Sequence, residues 1–429
     1  MRIDEVLMKI NASDFDAVLA ELYGESAVAF QRTRYEKAVE SFKSVFPESV
    51  DADISIFSAS GRTEICGNHT DHQHGRVLAA AVDLDTIALV TGNGRNVIRL
   101  QSEGYSFLEV DLGDLSPKEE EKGTTAALIR GVAACFADIG AEVRGFNAYV
   151  SSSVLSGSGL SSSAAFEVLI GKVIDCLFNG GTAGNEEIAK FGRIAENRYF
   201  GKACGLMDQM VSAVGGLVEI DFKDPTSPKI DAHQCNLDKL GFSLVITDTK
   251  GSHADLSEEY SAIPKEMRSV ARFFGKDNLR DVDEKEFSAR ISRLKRDPEI
   301  TDRAILRSAH FFADDARVRR EAEALDKEDM KMFLELVNES GNSSETLLQN
   351  LYSTERPETQ DIPLALLLSR KVLGKEGACR VHGGGFAGTI QAFVPKEKTG
   401  EYTEALEGAF GKGACHILRI RPKGAIQLI

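Results

Sequence analysis

The stretch at residues 156–165, SGSGLSSSAA, follows the strand-like run at 146–150 and opens the helical pattern at 164–177. A chain that leaves a strand through glycines and serines and enters a helix has few folded outcomes. The glycines let the backbone approach another group closely, and the helix start leaves N–H groups unpaired with a partial positive charge. That junction suits an anion, above all a phosphate, and serine hydroxyls add donors or a metal ligand. Taken alone, a Gly/Ser run is more often a capped turn, so its placement carries the phosphate reading. Neither a Walker A lysine nor a GxGxxG fingerprint accompanies it, which excludes the P-loop and dinucleotide types.

The 429-residue chain is long for one compact core and reads as two domains around a cleft, and its formal net charge of −15 repels phosphate backbones. With no basic patch in sight, nucleic acid is excluded as a partner. An acidic protein that handles a nucleotide must hold the phosphates with backbone amides, a metal ion and a few focused cations. The seven cysteines are scattered and form no CxxC pair, which suits a reducing cytoplasm. The first residues carry acids where a signal peptide has an apolar core, and no stretch reaches the ~20 apolar residues of a membrane span.

Periodicity predicts two helices over residues 3–44, a strand at 54–57, a glycine- and histidine-rich loop at 58–76 and a strand at 77–91. Helices are predicted at 124–139, 164–177 and 188–199, with a glycine-bearing turn at 201–205. A strand is expected at 242–247, charged helices over 257–375, and short strands at 378–382 and 388–394. The stretch 222–232, DFKDPTSPKID, is the best linker candidate. The expected division is a helical lead-in (1–50), an N-terminal domain (51–225) and a C-terminal domain (226–429).

Three segments carry a resemblance. GSGLSSSA at 157–164 resembles the second motif of the GHMP kinases in its galactokinase form. GRTEICGNHTDHQHG at 61–75 is similar to the galactokinase signature, and VHGGGFAG at 381–388 resembles the third, glycine-rich motif. AENRYFGKACGLMDQ at 195–209 and HADLSEEY at 253–260 also look like galactokinase stretches, so the resemblance runs from about residue 55 to the end. It implies an α+β fold: an N-terminal domain like ribosomal S5 domain 2, and a ferredoxin-like C-terminal domain. It further implies a kinase that moves the γ-phosphate of ATP to the anomeric hydroxyl of galactose, with Mg²⁺, acting as a monomer or weak homo-oligomer.

By that resemblance Asp208 is the carboxylate beside the attacking hydroxyl and Arg62 the cation facing it. Gly157, Ser158, Gly159, Leu160, Ser161, Ser162 and Ser163 form the ATP loop, and Ser163 with Glu196 supplies oxygens for Mg²⁺. Asn68, His69, Asp71, Gly205 and Tyr260 line the sugar pocket. Outside this context Arg62 would read as a surface ion-pair partner, Asp208 as a cap and Glu196 as an exposed helical acid. The cluster His69, Asp71, His72 and His74 fits no zinc spacing.

The chain departs from the family at Ser60 and Leu155, where proline is usual, at Glu64, where asparagine is usual, and at Asn68, which replaces a glutamate. Loss of that negative charge would also suit a carboxylate at C6, so galacturonic acid or a modified galactose is the alternative substrate. A non-catalytic galactose and ATP sensor is the alternative outside enzymes. Intact Ser163, Ala164, Glu196 and Asp208 favour catalysis, and HTDHQHG disfavours mevalonate or homoserine.

Overall fold

The computed structural model describes residues 1–154, 159–202, 204–251 and 256–429. The chain opens with three helices, α1 (Ile3–Ile10), α2 (Ser13–Tyr23) and α3 (Val28–Val45), where periodicity predicted two. The extra breaks are local. Asn11 turns its amide back onto the Leu7 carbonyl at 3.0 Å, and Gly24 takes φ +86°, a conformation that ends α2.

The first sheet is built from β1 (Ser55–Cys66), β2 (Arg76–Gly92), β3 (Val97–Ser102), β4 (Leu108–Asp111), β5 (Phe146–Ser152), β6 (Leu217–Asp221) and β7 (Lys229–His233). Its order is β1-β2-β5-β3-β4, with β6 and then β7 branching from the other end of β2; only β3 and β5 pair in parallel. Strand β1 runs on to Cys66, so Arg62 lies on a strand and not in the predicted loop. The linker candidate is likewise a hairpin within this sheet, because Asp221 pairs with Lys229 and Asp224 caps the turn through Thr226 N at 3.0 Å. Its prolines and turn formers make a tight reversal between two strands and not a domain linker.

Helices α4 (Thr125–Asp138), α5 (Ser162–Phe178), α6 (Asn185–Ile194) and α7 (Met207–Val214) cover one face of this sheet. Alternation sorts the rest. Ala88 and Val90 of β2 face these helices, while Ile87 and Leu89 face the lead-in. Leu78, Ala80 and Val82 face the second sheet, so β2 carries apolar residues on both faces because both are covered.

The second sheet contains β8 (Phe242–Asp248), β9 (Ala378–His382), β10 (Thr389–Pro395) and β11 (Cys415–Leu418) in the order β11-β8-β10-β9. With α12 (Asp361–Leu373) and α13 (Thr399–Phe410) this is the βαββαβ ferredoxin-like arrangement that was expected. Between β8 and α12 are inserted α8 (Ser257–Phe273), α9 (Glu284–Leu294), α10 (Asp302–Asp326) and α11 (Met330–Ser343). The chain then returns to the first sheet, where β12 (Ile426–Gln427) pairs with β1. Among the described residues no helix is long and apolar enough to cross a membrane.

Candidate active site

The site forms where β1 meets the N-termini of α5 and α7. A bulge separates Ser60 from Arg62 in the pairing of β1 with β2. At Gly61 a side chain would stand 3.1 Å from the Leu160 carbonyl, so the glycine lets the strand touch the glycine-serine loop. Arg62 N donates to Leu160 O at 3.1 Å, and its guanidinium also donates to Gly159 O.

The same guanidinium reaches Asp208 Oδ1 from Nε at 2.7 Å, and Ser161 Oγ donates to Asp208 Oδ2 at 2.6 Å. Asp208 sits in the first turn of α7 with its side chain 31% exposed, while Arg62 is 9% exposed. A carboxylate held between a permanent cation and a hydroxyl, yet open to solvent, can accept a proton from a ligand. Ser161 caps α5 at φ +59°, so two helix N-termini converge here.

Beyond α6 the helix widens into a π-turn, Ala195–Phe200, a feature frequent at functional sites. It carries the buried Glu196, whose Oε1 accepts from Ser163 Oγ at 3.0 Å and from Lys202 Nζ at 2.9 Å. Gln209 Nε2 bridges Glu196 Oε2 at 2.8 Å and Glu167 Oε2 at 3.0 Å. Burial, then the Glu196 charge, pushes the Glu167 carboxyl well above the usual range. Burial alone would lower Lys202, but Glu196 more than offsets it and the ammonium titrates above its ordinary value. Sequence reasoning named Ser163 and Glu196 and missed Lys202, Gln209 and Glu167; an acid on the apolar face of α5 was the available signal for Glu167.

On the other side, residues 67–75 form a tight loop. Gly67 and Asn68 donate their backbone N–H groups to Asp314 Oδ2 at 3.2 and 2.9 Å, and His310 Nε2 donates to Asn68 O at 3.0 Å. His69 donates from Nε2 to Gly384 O at 2.9 Å, which leaves Nδ1 a buried acceptor with no partner among the described residues. Burial, helped by His72, lowers His69 to about 3, so the ring stays neutral. Asp71 Oδ2 crowds Gly205, where an added Cβ would lie 2.4 Å away. Tyr260 donates to Gly385 O at 2.8 Å and packs edge-on against Phe386.

Asn68 turns inward. Its Nδ2 donates to Glu64 Oε1 at 2.9 Å and Gly383 O at 2.6 Å, and its Oδ1 accepts from Asn350 at 2.8 Å. Both amide hydrogens are thus spent on tying the loop to the third glycine motif. Glu64 in turn pairs with Arg380 at 2.9 Å, both buried. From the third motif His382 reaches Thr63 Oγ1 at 3.0 Å and borders Gly159, joining the two sides of the site. Gly157 and Ser158 lie outside the described residues, as do residues 253–255 of the HADLSEEY stretch.

Residues 127–216 match the family model described as the GHMP kinases N terminal domain, which sets this fold and site in the class of GHMP small-molecule kinases. Residues 40–91 match the galactokinase galactose-binding signature. The galactokinase of Actinobacillus pleuropneumoniae serotype 5b (strain L20) is 32% identical over 342 residues, 79% of this chain and 85% of that protein. The galactokinase of Glaesserella parasuis serovar 5 (strain SH0165) is 31% identical over 347 residues, with the same shares covered. The chain belongs to the galactokinase family. In fold it is similar to Lactococcus lactis galactokinase complexed with galactose, at TM-score 0.76 and 21% identity over 91% of this chain and 100% of that one. Methanococcus jannaschii mevalonate kinase is more distant, at TM-score 0.61 and 16% identity over 86% of this chain and 98% of that one.

Proposed function

We propose that this protein transfers the γ-phosphate of ATP to the anomeric hydroxyl of galactose. The observation that carries the reading is the Arg62–Asp208–Ser161 cluster at two converging helix N-termini, 2.6–2.7 Å between partners. Asp208 takes the proton of the sugar hydroxyl as that oxygen bonds to the γ-phosphorus; the bond from phosphorus to the bridging oxygen breaks and ADP leaves. Arg62 holds the Asp208 carboxylate in place and offsets charge on the transferred group. The glycine-serine loop offers backbone N–H groups at the start of α5 to the phosphates.

Ser163 and Glu196 are hard oxygen donors 3.0 Å apart, and the Lys202 ammonium 2.9 Å from the same carboxylate oxygen supports a cation there. These residues would hold Mg²⁺, which supplies neutralisation of phosphate charge when bound. Lys202 would then pair with a phosphate oxygen or Glu196.

On the sugar side, His69 Nδ1, without a partner among the described residues, offers an acceptor to a hydroxyl, and Asp71, Gly205 and Tyr260 shape the rest. Fixed polar groups discriminate epimers because a mismatched hydroxyl leaves them unpaired. Asn68 acts through the wall of this pocket. The alternative of a uronic acid draws support from the same place, because the nearby Glu64 charge is paired with Arg380.

The division into a lead-in of residues 1–50, an N-terminal domain and a C-terminal domain belongs to this proposal, with β7 supporting a boundary somewhat beyond 225. So do a cytoplasmic location and a monomeric or weakly associated state. An ADP-release assay with Mg-ATP against galactose, galactosamine, galacturonate, glucose and mevalonate tests the reading. Turnover on galactose is the expected result; turnover confined to galacturonate moves the substrate to the uronic acid, and silence on every sugar overturns the kinase reading.

A further inference from the structure

Behind the site, away from the cleft, lies a cluster of buried charge that the phosphoryl-transfer reading does not use. Asp85 of β2 is fully buried. Its Oδ1 accepts from Arg34 at 2.6 Å, and its Oδ2 accepts from Tyr23 at 2.5 Å, from Arg421 at 2.9 Å and from Ser58. Tyr35 completes the set through Tyr23 at 2.8 Å. Burial alone would raise Asp85, but Arg34 and Arg421 more than offset it and hold the carboxyl below its usual range. Arg34, Tyr23 and Tyr35 belong to the lead-in helices, ahead of residue 40, where the match to the galactose-binding signature begins.

The cluster reaches the exit of β5 through the backbone. The second arm of the Arg34 fork donates to Asp85 O at 3.1 Å and to Ser151 O at 3.2 Å. Asp85 and Ser153 are joined three times: Ser153 N to Asp85 O at 2.8 Å, Ser153 Oγ to Asp85 O at 3.1 Å, and Asp85 N to Ser153 Oγ at 2.9 Å. Residues 151–153 are the end of β5 and its exit, the segment that runs into the glycine-serine loop. Across the sheet Asp85 is in register with Ser60, at the bulge that aims Arg62. One side chain from the lead-in therefore grips both the strand that delivers the loop and the strand position beside the cationic side of the site.

We propose that Arg34 is a positioning residue for nucleotide binding: its fork sets the exit of β5, and through it the phosphate loop, so that the lead-in helices are part of the nucleotide site's support. The inference rests on the reading that this loop holds ATP phosphates. Sugar binding does not depend on it, because residues 67–75 are held from Asp314 and His310 on the opposite side.

The test is calorimetric titration of the full-length protein with MgADP and, separately, with galactose. Arg34→Lys keeps the charge against Asp85 but cannot span two carbonyls, so MgADP binding weakens about five- to tenfold while galactose affinity stays within about twofold. Ser153→Ala leaves the buried charges paired and removes two of the three bonds between Ser153 and Asp85, sparing the backbone one; it weakens MgADP about two- to fivefold with the same selectivity. Thermal melts establish that each variant is folded. Equal affinities for MgADP in wild type and both variants overturn the inference alone, as does a parallel loss of both ligands. Failure of the wild type to bind MgADP overturns the loop reading and the inference with it.

Discussion

The two sides of the cleft are supported differently. The sugar-side loop is bolted down by charges buried in α10: Asp314 holds two backbone N–H groups, Arg317 pairs with Asp314, and His310 holds the next carbonyl. On the phosphate side the groups that would meet a ligand stay more accessible, chiefly Arg62 and Ser161 meeting on a partly exposed Asp208, while Glu196, Gln209 and Glu167 form a buried network beside them. Reading the configuration of a sugar requires donors and acceptors that cannot shift. Phosphoryl transfer requires charged groups that still meet a ligand, so they stay near solvent.

The sharpest way to break this contrast is Asp208→Asn. It keeps the shape and removes the charge, so kcat falls about 10²- to 10⁴-fold while MgADP and galactose affinities change little. Steady-state kinetics beside calorimetry give the answer, and near-normal turnover would remove Asp208 from the chemistry. Next, Asp314→Ala leaves Arg317 with only its longer contact to Glu339, at 3.6 Å, and two loop N–H groups unbound. Stability drops by about 3–5 kcal/mol in denaturant unfolding, and the KM for sugar rises more than that for ATP.

A third prediction concerns pH. Glu321 on α10 is fully buried, and burial, only partly offset by Arg380 and a contact with Cys66, pushes it up to about 8. A folded value above the unfolded one means that its contribution is complete below about pH 4.3 and is lost as pH rises toward 8. Glu321→Gln therefore gains stability relative to wild type between pH 5 and 8, read from melting temperatures across that range. The buried histidines act with opposite sign: burial lowers His69, His310 and His382, so their contribution is present above about pH 6.5 and lost as pH falls. The smallest effect belongs to Tyr260→Phe, which loses the bond to Gly385 O and raises the KM for sugar about fivefold, leaving that for ATP unchanged.

Much of the site was legible because its motifs are local: the glycine-serine turn, the HTD loop and GLMDQ each keep their chemistry within a few residues. What supports them was not. Asp314, His310 and Arg317 lie in a charge-rich helical stretch that reads as a solvated face, and only contact with a loop 246 positions away buries Asp314 against Asn68. Asn68 shows the same limit from the other direction, since its replacement of a glutamate pointed to the sugar, yet its amide is spent on Glu64, Gly383 and Asn350. The hairpin at 221–229 read as a linker because turn residues look alike whether the strands beside them pair or part.

Taken alone, the sequence determined the class of chemistry through the resemblance of its glycine-serine, HTD and C-terminal glycine-rich motifs to those of galactokinases. It also determined the α+β composition through periodicity. The tertiary structure decided which charges are buried, which helices support which side of the cleft, and that the lead-in and the final strand close on β1 and β2. Burial is a property of packing between distant segments, and a buried charge differs from an exposed one only in what the rest of the chain lays over it.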